Sequence, residues 1–291
     1  MNIKKLVKIT FLLLWITSIS CASGSSGSQS TPKEQKEIDP INKVLEKLNK
    51  TTQELQSLEC RIEYKDVQPS VFDTQTLRKG VLYYTKKGNE SKLRVNFQTR
   101  QQDDEPEQNL IEQYFIVDGV LLKSESHDFE GMWLVHLDYE FKTVRYIQIA
   151  EANNSKEPVD VFELISRNLP MVGFTKIEDL KKQFDITLVD EKNNEQEGFI
   201  QVHLKIKPNS IYIDDYTQID FWIDKKTNLP ARIKAVSTEP NGPVEDKDFY
   251  EIKLLEPKLN QKIDSDIFNF SIPRDFEEPE IFPLNNAQDN T

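Results

Sequence analysis

Three histidines, two cysteines and 49 acidic residues are the groups through which this chain of 291 residues could do chemistry. His127, His136 and His203 are too far apart for the close ligand spacing of a metal site. His203 alternates with Gln201 and Lys205 on the polar side of a strand pattern, which reads as surface. Cys60 falls with Leu58, Ile62 and Tyr64 on the apolar side of an alternating stretch. No basic group shares that side to stabilise a thiolate, so Cys60 reads as a small buried hydrophobe. Asp214-Asp215 could form an acid–base pair of the kind that hydrolyses glycosides. It follows Pro208-Asn209-Ser210 in a polar loop, and so acidic a composition makes neighbouring carboxylates commonplace. No Gly-x-Ser-x-Gly elbow occurs, and nine glycines supply no phosphate-cradling loop. Asp190 to Gly198 is acidic and Asn-rich but lacks the alternating ligands of a calcium loop. These groups point to a protein that binds rather than catalyses, without cofactor or metal.

The first 21 residues read as an export signal: Lys4, Lys5 and Lys8 precede a short apolar run from Ile9 to Ile16. That run is too short for a stable membrane span. Cys21 closes the segment Ser18-Ile19-Ser20-Cys21 and is read as a lipidation site, with ordinary cleavage near Ala22 as the alternative. Residues 22–40, rich in Ser and Gly at their start, suit a flexible tether. Cys60 has no second cysteine in the folded part, so no disulfide is expected. The formal charge of -12 becomes -15 without the three leader lysines. Such an acidic chain disfavours nucleic acid and favours a soluble monomer.

The elements that must position any site are mostly strands. Ile219, Phe221 and Ile223 alternate with polar residues and Trp222, then Asp224 to Asn228 supplies a turn in which Asn228 can take a left-handed conformation. Leu229-Pro230 restarts the chain, and Ala231, Ile233 and Ala235 continue the alternation, with Pro230 suited to a strand start. The same period runs through Leu58 to Tyr64, Val81 to Thr85, Leu93-Val95-Phe97, Ile111 to Val117, Trp133 to Leu137, Val144 to Ile149, Phe184 to Leu188, Ile200 to Ile206 and Phe249 to Leu255. Asp118-Gly119 is expected to be a tight hairpin turn, with an extended loop or hairpin excursion after it up to Met132.

Helical spacing appears at Ile41, Val44, Leu45, Leu48 and Leu55 after Asp39-Pro40, and again at Val161, Leu164, Ile165 and Leu169 before Pro170. Thr175 to Glu178 forms a capping box ahead of Ile177, Leu180 and Phe184. Phe268, Phe270 and Ile272-Pro273 close the core, and residues 277–291 read as a loosely held acidic tail. Most strands carry one apolar and one charged face. The expected fold is mainly β (α+β): a single strongly curved antiparallel sheet, or unclosed β-barrel, of roughly ten strands, capped by an N-terminal helix and central helices. One domain should span residues 41–276.

In that order of elements the chain resembles the outer-membrane lipoprotein carrier family, of the LolA and LolB type. The resemblance is carried by Phe221-Trp222-Ile223-Asp224 with Leu229-Pro230, by Tyr250-Glu251-Ile252-Lys253, and by Ile267 to Pro273. Weaker matches are Lys79-Gly80-Val81-Leu82, Leu93-Arg94-Val95, Val117-Asp118-Gly119 and Trp133-Leu134. Lys86-Lys87 stands where carriers often have Arg-Pro, and the stretch from Leu121 to Met132 is longer than usual. The resemblance implies an exported periplasmic or outer-membrane protein whose apolar cavity holds acyl chains of lipoproteins or lipids in transit. Leu58, Ile62 and Tyr64 would line that cavity, with Leu93, Val95 and Phe97, then Ile200, Val202 and Leu204, then Ile219, Phe221 and Ile223. Val44, Leu48, Leu164 and Leu169 would belong to lid helices. A lipid on Cys21 would anchor the protein in the membrane. Trp222 is expected on the opposite, convex face. Alternation by itself is served by a filled core; the resemblance favours a hollow one.

Overall fold

The computed structural model describes residues 40–69, 73–88, 90–123, 128–151, 177–190, 197–238 and 246–283, without the side chains of 118–123, 128–130, 177 and 179. The leader, Cys21, the tether, Leu164, Leu169 and the box at Thr175 lie outside these residues. Helix α1 (Pro40–Glu54) opens with Pro40, whose fixed φ suits a first helical turn. Its Leu45 and Leu48, three residues apart, are buried together.

The strands are β1 (Ser57–Gln68), β2 (Thr74–Lys87), β3 (Glu90–Gln102), β4 (Gln108–Lys123), β5 (Asp128–Asp138) and β6 (Thr143–Ala150). A short helix α2 (Ile177–Gln183) then leads directly into β7 (Phe184–Leu188), so Phe184 begins a strand instead of extending the helical stripe. β8 (Phe199–Ile206), β9 (Tyr216–Asp224), β10 (Pro230–Ser237), β11 (Phe249–Leu259) and β12 (Glu280–Phe282) complete the set. All twelve form one sheet in the order β12-β6-β5-β4-β3-β2-β1-β11-β10-β9-β8-β7, which is not closed into a barrel. Among the described residues every pairing is antiparallel except β12 on β6.

The β9–β10 hairpin follows its sequence grammar. Asn228 has φ 53°, and Asp224 Oδ1 accepts from the amides of Lys226 and Thr227 at 2.7 and 2.9 Å. Pro230 is the first residue of β10. The Asp118-Gly119 turn is a misreading. β4 runs through both residues to Lys123, with Asp118 paired to Met132 and Gly119 to Gly131, so the chain reverses between Lys123 and Asp128. The longer arms keep more backbone groups in the ladder than a turn at residue 118 would.

The sheet curls. Ile116 and Met132 from β4 and β5 join Val202 and Leu204 from β8 in one core, together with Leu45 and Leu48 of α1. Cys60 belongs to it. Burial, with a smaller push from Glu59, raises its thiol to about 12. The thiol should therefore ignore a disulfide reagent such as dithionitrobenzoate in the native protein and react at the rate of a free thiol in urea; rapid native labelling would contradict this burial.

The convex side is not uniformly wet. Phe115, Trp133, Val135, Leu137, Val144 and Tyr146 form a second buried cluster there, covered by Phe270, Phe276 and Ile281. The segment after β11 is a strap and not a closing strand. A 3-10 turn (Ser265–Phe268) leads into extended chain whose Phe270 ring lies 5.1 Å from Phe115. Arg94 sits over the Phe115 ring at 4.7 Å and donates through Nη1 to the Ile267 carbonyl. Lys142 pairs with Asp275 at 2.9 Å, and β12 adds its three residues to the β6 edge. Residues 277–282, expected in a loose tail, are thus bound to the sheet.

Candidate functional site

Alternation on neighbouring strands in fixed register brings the concave face together. Val202, Phe221, Ile233, Ile252 and Tyr64 lie side by side across β8, β9, β10, β11 and β1. The neighbouring row runs Leu204, Ile219, Ala235 and Tyr250. On the other arm Tyr84, Leu93, Ile116 and Leu134 form a row across β2 to β5. The residues expected to line a cavity, from Leu58 through Ile223, all fall in this one face or pack against it.

Their accessibility differs. Val202, Leu204, Ile219 and Phe221 are fully inaccessible, whereas Tyr64, Val95 and Ile200 are only partly covered. Val44 and Leu48 of α1 pack on this same face. Two grooves, of about 180 and 270 Å³, lie at the β9–β10 end of the sheet and on its convex side. Both fall short of a typical ligand cavity of roughly 300–1,000 Å³.

An aromatic belt crosses the concave face toward one end of the strands. Tyr64 stacks on Tyr250 with centroids 6.0 Å apart, Tyr216 meets Tyr250 edge-on at 5.8 Å, and Phe97 touches Tyr64 and Tyr114 at 6.4 and 6.1 Å. Burial raises the phenols: Tyr216 stands at about 12, and Tyr64, Tyr114 and Tyr250 are displaced upward too. None ionises in ordinary conditions, so each serves as an apolar ring with a neutral hydroxyl.

A polar cluster continues the belt. Glu112, facing the same side as Tyr114, is almost wholly buried. Its Oε1 accepts from the Tyr114 hydroxyl at 2.6 Å and contacts His136 Nε2 at 2.9 Å. Its Oε2 lies 3.4 Å from Arg78 Nε. Burial pushes the Glu112 carboxyl up, but the His136 hydrogen bond, the Arg78 charge and the Tyr114 hydroxyl outweigh it and hold the group at about 2. The His136 ring stacks flat on Tyr114 at 4.4 Å. The other ring nitrogen, Nδ1, is buried without a hydrogen-bond partner among the described residues.

Glu112, His136 and Asp138 offer atoms within 4.8 Å of one another, a separation that a metal could bridge. The carboxylates are already engaged, however. Both Glu112 oxygens have partners, and Asp138 Oδ1 accepts from the amides of Glu140 and Phe141 at 3.0 and 3.1 Å. A cation would also have to displace or tolerate Arg78. The cluster is therefore an internal polar network at one end of an apolar face. Sequence spacing missed it because its members come from β2, β4 and β5.

His203 is not simple surface: its Nδ1 lies 2.9 Å from Asp220 Oδ1 on the convex side, and that hydrogen bond raises the imidazole. Trp222 is on the convex side as expected, yet buried, with the Arg232 guanidinium 4.0 Å above its ring and Arg232 paired to Glu251 at 2.6 Å. Asp214 and Asp215 lie in the 211–215 turn; the Asp214 carbonyl accepts from the Thr238 hydroxyl and that of Asp215 from the Thr238 amide.

No family model matches the chain, and no curated protein sequence matches it. Solved structures similar to it include a putative outer membrane lipoprotein-sorting protein domain from Vibrio parahaemolyticus, at 12% identity and TM-score 0.36, covering 78% of this chain and 97% of that one. They also include a LolA superfamily protein from Nitrosomonas europaea, at 11% identity and TM-score 0.32, covering 79% and 97%. A third is the Pseudomonas aeruginosa MucA/MucB complex, at 10% identity and TM-score 0.42, covering 80% of this chain and 62% of that chain.

Proposed function

We propose that this protein is a non-enzymatic carrier or acceptor of the cell envelope, which holds acyl chains of lipoproteins or lipids against its concave face in outer-membrane lipoprotein sorting. The observation that carries this reading is the continuous apolar face of an unclosed sheet, with Tyr64, Val95 and Ile200 partly uncovered and α1 laid on it. Export by the leader, anchoring through Cys21 and a monomeric state complete the proposal.

Magnitudes permit it. Lifting α1 would expose Leu45 and Leu48 at about 1.5–3 kcal/mol each. Ten methylenes of a bound chain contribute roughly 8 kcal/mol at about 0.8 each. An acyl chain can thus displace the helix and occupy its place. The second reading is a tethered interaction protein with a filled core, favoured by the complete burial of Val202, Leu204, Ile219 and Phe221.

Titration of delipidated protein with an environment-sensitive apolar dye, followed by displacement with an acylated peptide, separates the two. Saturable dye binding reversed by the acylated but not the unacylated peptide is expected. Absence of dye binding together with absence of copurifying lipid would establish the filled core.

A further inference from the structure

We propose that Arg78 is the head-group contact of the concave face, selecting ligands whose acyl chain ends in an uncharged ester or amide carbonyl; this rests on the acyl-binding reading above. Arg78 lies on β2 directly opposite Tyr64 of β1, so the register places it on the apolar face. Its side chain is 17% exposed, and Nε, 3.4 Å from Glu112 Oε2, is buried without a hydrogen-bond partner among the described residues. The terminal nitrogens Nη1 and Nη2 have no acceptor among the described residues. A guanidinium carries five N–H donors, and four of them belong to those two nitrogens. A half-buried cation with idle donors beside aromatic rings is suited to carbonyl oxygens arriving at the end of an apolar chain.

The surrounding charges decide what kind of head group fits. Glu112 and Asp138 share the face, and Asp66, two residues along β1 from Tyr64, joins them. The other cations of this end are engaged: Arg100 with Glu140 at 3.0 and 3.3 Å, and Arg145 with Glu280 at 2.9 Å. His136 adds an imidazole already committed to Glu112. Glu112, Asp138 and Asp66 lie on this face, and Arg100, the cross-strand neighbour of Arg78, is balanced by Glu140. A further carboxylate or phosphate therefore adds like charge, while a neutral carbonyl takes the donors without that penalty. The same strand offers an apolar run for the tail once the face is uncovered. Arg78 and Tyr84 share the concave face six residues apart, about 20 Å of strand at 3.3 Å per residue.

Dye displacement by monomyristoylglycerol and by myristate, on the full chain and on Arg78→Met, tests the assignment. The ester should compete about tenfold better than the free acid on the native protein, as repulsion of a further carboxylate by the neighbouring acids suggests. Arg78→Met should weaken the ester about tenfold, as loss of a hydrogen bond to a charged donor suggests, while the variant still binds the dye. If Arg78→Met does not fold, Arg78→Lys keeps the charge near Glu112 but loses the fork of donors, and should still weaken the ester several-fold. Ester affinity unaltered in a variant that still binds dye overturns the role of Arg78 alone. Failure of the native protein to bind dye overturns the acyl-binding reading and this inference with it.

Discussion

Replacing Glu112 by glutamine is expected to lower the unfolding free energy by about 3 kcal/mol at neutral pH and by almost nothing near pH 2. The carboxylate is buried and accepts from Tyr114 and His136 while facing Arg78, which holds it at about 2 instead of the ordinary 4.5. A depressed carboxyl stabilises the folded state above its unfolded value, and the contribution disappears as pH falls through the folded value. The effect is therefore complete above about 4.5 and drains away between about 4.5 and 2. A shift of this size corresponds to about 3 kcal/mol at 1.36 per pH unit, and breaking a buried ion pair costs about the same. Urea unfolding of wild type and Glu112→Gln across this range should show two curves that converge on the acid side. Curves that stay parallel would mean the carboxylate is not held by these partners.

Gly80→Ala should be nearly as damaging for a different reason. A β carbon at residue 80 would sit 1.8 Å from the carbonyl oxygen of Asn96 and 2.8 Å from Cα of Phe97. These are main-chain atoms of the neighbouring strand, which cannot swing aside as a flexible side chain would. The β2–β3 register slips by one at Lys79/Gly80, and the bulge lets β3 close on the glycine while Phe97 enters the core. Overpacking of this kind costs about 1–3 kcal/mol, and backbone displacement puts this case at the upper end. Thermal melts should show a clear fall in midpoint with reduced dye binding, because Phe97 and Val95 move with the strand. An unchanged midpoint would contradict the close approach.

The sheet was legible wherever local chemistry and alternation agreed. Asn228, Pro230 and the flanking apolar residues specify the β9–β10 hairpin without help from distant contacts. Asp118-Gly119 is the instructive failure: a strong local turn signal lost to strands that extend through residues 118–123 and 128–132, with Gly119 lying opposite Gly131. That displaced turn also hid the polar cluster. Only with the reversal beyond Lys123 does Tyr114 face His136 and Glu112 face Asp138. The strap was hidden because its contacts join Phe270 and Phe276 to strands more than a hundred residues earlier. Its trace in the sequence was the unbroken apolar run Trp133 to Val135, which signals a strand buried on both faces.

The reading of the concave face as an acyl-binding surface is tested most directly by photo-crosslinking. A monoacylglycerol carrying a diazirine midway along its chain would be irradiated with the full-length protein and the adducts mapped by mass spectrometry. Adducts confined to Tyr64, Val95, Leu134, Ile200 and the α1 leucines are predicted, competed by unlabelled acyl ester. Adducts scattered over the convex face, or none that unlabelled ester competes away, would contradict it.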